Sequence, residues 1–290
     1  MDEMPEIAKT VLVTGASSGI GKAATRLLAG RGLRVFAGVR RVEDAEAITD
    51  ERIQPVMLDI TDDESIAAAA ARIEAEVGEA GLDGLVNNAG LMLGGPLEFF
   101  PMADLRRILE VNVVGQIAVT QAMMPLLRCA HGRIVNISSV SGRMALPLFG
   151  PYNASKFALE ALSDALRMEL AGSGVSVIVI EPGPVQSNIW NKARQHNAQL
   201  CAAMQARTAE FYGPLIEAVQ RVASESEATA IPAERLAELI YHALTARRPA
   251  TRYPIGRFAR TRDLAARILP DRLRDWIILR LGLRIKGQSS

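Results

Sequence analysis

Val11-Leu12-Val13-Thr14-Gly15-Ala16-Ser17-Ser18-Gly19-Ile20-Gly21 carries the strongest local signal in the chain. A short β-branched run passes directly into a glycine-rich turn, and the turn opens a helical stretch from Ile20 to Ala29. Glycines in that place let the backbone turn tightly and approach a pyrophosphate, while the helix N-terminus adds free N–H donors and a positive dipole end. Gly15, Ser17, Ser18, Gly19, Ile20 and Gly21 are therefore the candidate phosphate cradle. The spacing is GxxxGxG and not GxGxxG, and on its own such a turn also fits an ordinary βα loop.

The chain beyond this unit repeats its pattern. Strands are expected at Val11 to Thr14, Arg34 to Val39, Gln54 to Leu58, Gly84 to Asn87, Arg133 to Ser138 and Val175 to Glu181, with Thr251 to Ile255 a candidate seventh. Helical stretches lie between them: Ile20 to Ala29, a weak one after Val42, Asp63 to Val77, Met102 to Leu127 and Asn153 to Ala171. Alternation of this kind predicts an α/β fold, a single Rossmann-type doubly wound parallel sheet of six to seven strands with helices on both faces. Residues 187–230 follow the last clear strand and are expected to form a helical lid over the carboxyl end of the sheet, where ligands bind in this architecture. With no repeat and no Pro/Gly/Ser-rich linker, one domain over 1–290 is favoured over two.

The composition agrees with a packed, soluble enzyme-like body. Of 290 residues, 49% are hydrophobic and 22% charged, and the net charge of +1 supplies no basic field for nucleic acid. Cys129 and Cys201 lie far apart without metal-ligand spacing, which argues against a disulfide framework or zinc site and for a reducing, cytoplasmic setting. No metal is expected. The acidic N-terminus lacks a signal-peptide pattern, and no run reaches the ~18 apolar residues of a spanning helix. Charge is uneven, however: Arg247 to Lys286 holds twelve Lys or Arg against three Asp or Glu. Residues 247–286 are thus a basic C-terminal extension on a body that carries the compensating negative charge.

Three further groups of residues point to chemistry. Arg40 stands after the second strand, where an NAD site usually places an acid for the ribose diol. A guanidinium there pairs with a 2′-phosphate and favours NADP(H). Asp59-Ile60 and Asn87-Asn88-Ala89-Gly90 occupy the ends of the third and fourth strands; a carboxylate at Asp59 suits an adenine amino group, and small residues at Asn88, Ala89 and Gly90 let a ribose lie against the backbone. Tyr152-x-x-x-Lys156 sets a phenol and an ammonium one turn apart on one helix face. Tyrosine ordinarily titrates near ~10, and a neighbouring cation is expected to favour its phenolate. Ser139, thirteen positions earlier at a strand end, can hydrogen-bond the same substrate oxygen.

Taken in order, TGASSGIG, Asn87 to Gly90, Asn112 in Val111-Asn112-Val113, the ISS run ending at Ser139, Tyr152-x-x-x-Lys156 and Pro182-Gly183 make the chain resemble the short-chain dehydrogenase/reductase family from about Thr10 to Ala246. The resemblance implies a catalytic tetrad of Asn112, Ser139, Tyr152 and Lys156, with Asn112 positioning a proton-relaying water. It also implies that Pro182, Gly183, Val185 and Ser187 meet the nicotinamide end and that Tyr152 and Lys156 contact the cofactor, Ser187 standing where the family often has Thr. Gly94 to Glu98, Phe157 to Glu160 and Thr251 to Gly256 look like the 17-beta-hydroxysteroid and retinol dehydrogenase branch, which implies a small lipophilic alcohol or ketone.

The expected activity is NADP(H)-dependent hydride transfer to a carbonyl or from an alcohol; the alternative is a non-catalytic NADP-binding regulatory protein. Apolar residues of the Asn153 to Ala171 helix spread more widely than the roughly 100° stripe a one-sided helix needs, which points to a homodimer or homotetramer. In Asp271 to Lys286 an apolar stripe is broken by Arg280 and Arg284, so a tail docked on the protein body is favoured over peripheral membrane contact.

Overall fold

The structure, a computed structural model, describes residues 9–186, 196, 206–256 and 268–283. Its centre is a seven-stranded parallel sheet of β1 (Thr10–Thr14), β2 (Arg34–Val39), β3 (Ile53–Met57), β4 (Gly84–Asn87), β5 (Arg133–Ile137), β6 (Ser176–Pro182) and β7 (Arg252–Ile255), in the order β3-β2-β1-β4-β5-β6-β7. The expected α/β architecture is thus present, seventh strand included. β1 pairs with β2 on one side and β4 on the other, so the order of winding reverses between β1 and β4. That reversal opens the crevice at the carboxyl strand ends where such folds bind ligands.

Alternation along each strand divides the core in two. Val11, Val13, Val35, Ala37, Val135 and Ile180 point to one face, under α1 (Gly19–Gly30) and the helix Ala233–Thr245. Leu12, Phe36, Leu85, Ile134 and Val177 point to the other, under α3 (Asp63–Val77) and the helix Gly115–Cys129. Both faces of the strands are therefore buried, as a parallel sheet requires.

Beyond shifts of one or two residues at element ends, three features differ from the sequence reading. Met102 to Leu127 is not one helix: α4 (Met102–Leu109) passes through a π turn, Glu110–Val114, into α5 (Gly115–Cys129). Periodicity does not reveal the extra residue of such a turn, whose position is fixed by a tertiary contact of Asn112 described below. The helix α6 (Gly150–Glu169) begins three residues before Asn153, whose side chain ties down the preceding loop through the Ser141 and Met144 carbonyls rather than capping a helix start. Beyond α7 (Ala206–Ala228), the helix α8 (Ala233–Thr245) packs on α1 and was not anticipated, although Leu236, Ala237, Ile240, Ala243 and Leu244 carry a helical period.

Of the expected lid, α7 is described and most of the rest lies outside the described residues. The π turn Ile277–Gly282, which follows the C-terminal helix α9 (Asp271–Trp276), docks on α7. Leu283 and partly buried Ile278 pack with Leu215, Ile216, Ala218 and Val219, and the Arg221 guanidinium donates to the Leu283 carbonyl at 2.7 Å. The docking anticipated for the tail is present in this segment, but apolar contact carries it more than charge. Among the described residues, no helix is long and apolar enough to cross a membrane.

Candidate active site

The glycine-rich turn leaves β1 with Gly15 at φ +64, a conformation that side chains with a Cβ rarely adopt. Gly21 is required by contact instead, since a Cβ there would lie 2.2 Å from the Gly15 carbonyl oxygen and 2.5 Å from Asn88 Nδ2. The turn and the β4 loop are clamped together. Asn88 Nδ2 donates to the Thr14 and Gly15 carbonyls, Thr14 Oγ1 accepts from the Asn88 and Ala89 amides, and Gln116 Nε2 donates to the Ala89 carbonyl. Ser17 is half-buried and Ile20 packs beneath the turn, while exposed Ser18 precedes α1 without capping it by its side chain. With no acid in that first turn, the donors at the head of α1 face an anion unopposed.

At the end of β2 the two arginines behave differently. Arg41 binds Asp44 through two 2.8 Å hydrogen bonds, whereas exposed Arg40 has no side-chain partner among the described residues. Partial burial works against ionisation of Asp59, but the Thr61 amide and hydroxyl and the Arg40 charge outweigh it and hold its carboxyl below the usual value. Its Oδ1 serves Thr61, leaving Oδ2 for a ligand. Ile60 is buried under α5, where a Cβ on Gly115 would fall 2.2 Å from the Ile60 carbonyl oxygen. Gly90 is exposed at the same end of the sheet. These groups fit a dinucleotide: donors and small residues where phosphates and ribose would lie, and an uncommitted guanidinium at the adenosine end.

Ser139 follows β5 and caps the short turn Val140–Gly142 by accepting the Ser141 amide, while its hydroxyl donates to the Pro182 carbonyl at a long 3.4 Å. Tyr152, on the first turns of α6, shares a hydrogen bond with Ser139. Burial raises the phenol above its ordinary value and that hydrogen bond pulls the other way. The Lys156 ammonium, 5.9 Å from the Tyr152 ring centroid, donates to the Ile137 carbonyl at 2.8 Å and so lies beside the phenol. Burial in turn brings Lys156 down to about 8, against the upward pull of the Glu160 carboxylate.

Asn112 is tied into this group by its side chain. Its Oδ1 accepts the Leu91 amide at 2.7 Å, and its Nδ2 donates to the Leu91 carbonyl and to Ser155 Oγ, which in turn donates to the Tyr152 carbonyl. Both side-chain amide hydrogens are thereby committed within the protein. Asn112 is thus a peg that locks the π turn, the β4 loop and the Tyr152 turn of α6 together.

Pro182 is buried, Gly183 donates its amide to the Ile255 carbonyl, and Val185 is buried against Ala233 and Leu236. Pro182 ends β6 and Gly183 and Val185 follow it; Ser187 lies outside the described residues. Sequence reading missed the apolar wall in which Leu148 and Phe149, in the segment that leads into α6, cluster with Leu215 and Val219 of α7 and Leu283 of the tail. Phe99 and Tyr212 meet edge to face at 6.0 Å, with the Tyr212 hydroxyl donating to Glu98. No periodicity within a single segment announces a wall assembled from three separate ones.

Residues 9–198 match the family model of the short chain dehydrogenases. Over 274 residues the chain is 36% identical to an NADPH-dependent 3-dehydrocapnine reductase of Ornithobacterium rhinotracheale, covering 92% of this chain and 94% of that one. Over 281 residues it is 40% identical to the 17-beta-hydroxysteroid dehydrogenase type 6 of Bos taurus, covering 94% and 88%. Among solved structures it resembles a short chain dehydrogenase from Burkholderia cenocepacia J2315 in complex with NADP, with a TM-score of 0.71, 28% identity and coverage of 95% and 97%.

Proposed function

Because the chain belongs to the short-chain dehydrogenase family and is an oxidoreductase acting on CH–OH or C=O groups, we propose that it uses NADP(H) and acts on a lipophilic, steroid- or retinoid-like carbonyl or alcohol. The grouping of Ser139, Tyr152 and Lys156, with an apolar cluster built on Leu148 and Phe149 just ahead of Tyr152 in the chain, carries this reading. Gly15, Ser17, Ser18, Gly19, Ile20 and Gly21 would hold the pyrophosphate, Arg40 the 2′-phosphate, Asp59 and Ile60 the adenine side, and Asn88, Ala89 and Gly90 a ribose. When bound, the nicotinamide supplies or accepts the hydride.

The chain's own residues handle the proton and the developing charge. A buried phenol whose pKa is raised keeps its proton at neutral pH, which suits Tyr152 to donate it to a carbonyl oxygen. Ser139 gives up its long bond to the Pro182 carbonyl and donates to the same oxygen, stabilising charge that grows as the carbonyl is reduced. Lys156 holds the ribose and keeps a positive charge beside the tyrosine. Leu148, Phe149 and the α7 residues exclude water from the substrate side.

The test is turnover of steroid ketones, retinoid aldehydes and short water-soluble aldehydes with NADPH and NADH, followed by reduced-cofactor absorbance. Turnover of the lipophilic carbonyls with NADPH is expected; preference for the short aldehydes would reject the substrate class. The pH dependence follows from Lys156: its ammonium is present below about 8 and lost above it, so kcat/KM for reduction should fall as pH rises through that value. A rate flat from pH ~7 to ~10 would show that the ammonium is not required.

The exposed face of α6 supports the homo-oligomer. Phe157 and Met168, about 20° apart round α6, are 43% and 63% exposed, Leu162 at the flank of that face is 39% exposed, and Leu159 and Ser163 on the side away from Phe157 are buried. Covering the exposed part of such side chains with a second copy would recover roughly 1 kcal/mol for each, about half of what burying a fully exposed one gives. Light scattering at micromolar concentration should give at least twice the 31.2 kDa of one chain, and a monomer would overturn this assembly.

A further inference from the structure

We propose that Glu160 is a positioning residue for the reaction: one turn beyond Lys156 on the buried face of α6, its carboxylate is the counter-charge that keeps the Lys156 ammonium in place and ionised. The observation behind it is a compact ionic chain that the mechanism above does not use. Lys156 and Glu160 are only 5% and 4% exposed. Residues four apart on a helix lie one above the other, so the two charged groups share one side of α6.

Glu160 is held from the far side. Arg252 on β7 donates to Glu160 Oε2 through both Nε and Nη2, at 3.1 and 3.0 Å, and reaches Asp164 Oδ2 at 2.8 Å. Oε1 of Glu160 is buried without a hydrogen-bond partner among the described residues. A buried carboxylate oxygen without a partner is costly unless a nearby positive charge offsets it. The loop after Ser139 closes tightly over both residues: a Cβ on Gly142 would lie 3.0 Å from Glu160 Cγ and 3.0 Å from the Lys156 carbonyl oxygen. Ser139, Lys156 and Glu160 are thus packed as one block.

The surrounding charges settle the direction of the effect. α6 contributes Tyr152, Lys156, Glu160 and Asp164, the last also held by Arg167; the loop after Gly142 contributes Arg143, β6 contributes Glu181 and β7 contributes Arg252. Arg143 lies 3.8 Å from Glu181, and Arg252 3.3 Å from the same carboxylate. Neutralising Glu160 leaves Arg252 facing Lys156 with one fewer anion between them, so the ammonium should lose its proton more readily. Neutralising Arg252 does the opposite. A purely structural role predicts neither change.

The proposal rests on the role given to Lys156 above, and its test is read without turnover. The chain has five lysines, Lys9, Lys22, Lys156, Lys192 and Lys286, so NMR of protein labelled with 13C at lysine Cε gives few signals, and Lys156→Arg assigns the relevant one. In the full-length protein the Lys156 signal should titrate near 8, in Glu160→Gln about one unit lower, and in Arg252→Gln higher than in the wild type. The alkaline limb of carbonyl reduction should move with it. An unmoved Lys156 titration in folded Glu160→Gln overturns the proposal. Should that variant fail to fold, Arg252→Gln decides alone, an upward shift supporting the proposal and an unmoved or lowered titration overturning it. A wild type without NADPH-dependent turnover but with the expected NMR shifts would reject the reductase reading and leave the charge coupling standing.

Discussion

Tyr152→Phe is expected to lower carbonyl reduction by at least ~100-fold while leaving NADPH affinity nearly unchanged, because positioned proton donors contribute about 10²- to 10⁴-fold. The substitution removes one oxygen and keeps the ring. The turn of α6 that carries it is anchored by backbone and neighbour contacts, through Ser155 to the Tyr152 carbonyl and through Asn112 to Ser155, none of which involves the phenol hydroxyl. Lys156 likewise keeps its bond to the Ile137 carbonyl. What is lost is the proton that burial holds on the phenol and the hydrogen bond with Ser139. Turnover and cofactor binding measured side by side separate the outcomes: a variant that keeps more than a tenth of wild-type turnover would remove Tyr152 from the role of proton donor.

Much of the fold could be read from local pattern because a parallel sheet buried on both faces demands β-branched runs of the right length, and those runs are present. The strand expected at Gly84 to Asn87 and the helix expected at Asp63 to Val77 match the structure at both ends. What could not be read arises from contacts between distant segments. The π turn at Glu110–Val114 exists where Asn112 reaches across to both backbone groups of Leu91, and nothing in the helical period marks it. α8 is a different case, since its period was legible and only its distance from the recognised motifs left it unread.

The site divides in the same way. Residue types and order were sufficient to bring Ser139, Tyr152 and Lys156 to one place, because strand-end and i,i+4 geometry are local rules. The protonation behaviour was not, because it depends on burial. The Tyr152 phenol is held above its ordinary value because burial disfavours its charged form, an effect that residue type and spacing do not show. Arg252 makes the same point from the tail: its place in a candidate seventh strand was legible, whereas its ties to Glu160 and Asp164 of α6 were not.

Arg40→Asp should reverse the cofactor preference, from tighter binding of NADP(H) to tighter binding of NAD(H). Two features of the β2 terminus argue for a large effect. Arg41 is already engaged by Asp44 and cannot simply take over, while Arg40 is exposed with no side-chain partner among the described residues, so its guanidinium is available at little cost. Hydrogen bonds to charged groups contribute about 1.5 to 3 kcal/mol, which corresponds to roughly 10- to 150-fold in NADPH affinity on loss of the pair alone. The introduced carboxylate then adds repulsion against the 2′-phosphate and offers an acceptor to a ribose diol, so the two affinities should move in opposite directions. Fluorescence titration of both reduced cofactors into wild type and variant measures this directly. The assignment fails if the wild type already binds NADH more tightly, or if Arg40→Asp weakens both cofactors equally, since an equal loss would mean that Arg40 supports the loop and does not read the phosphate.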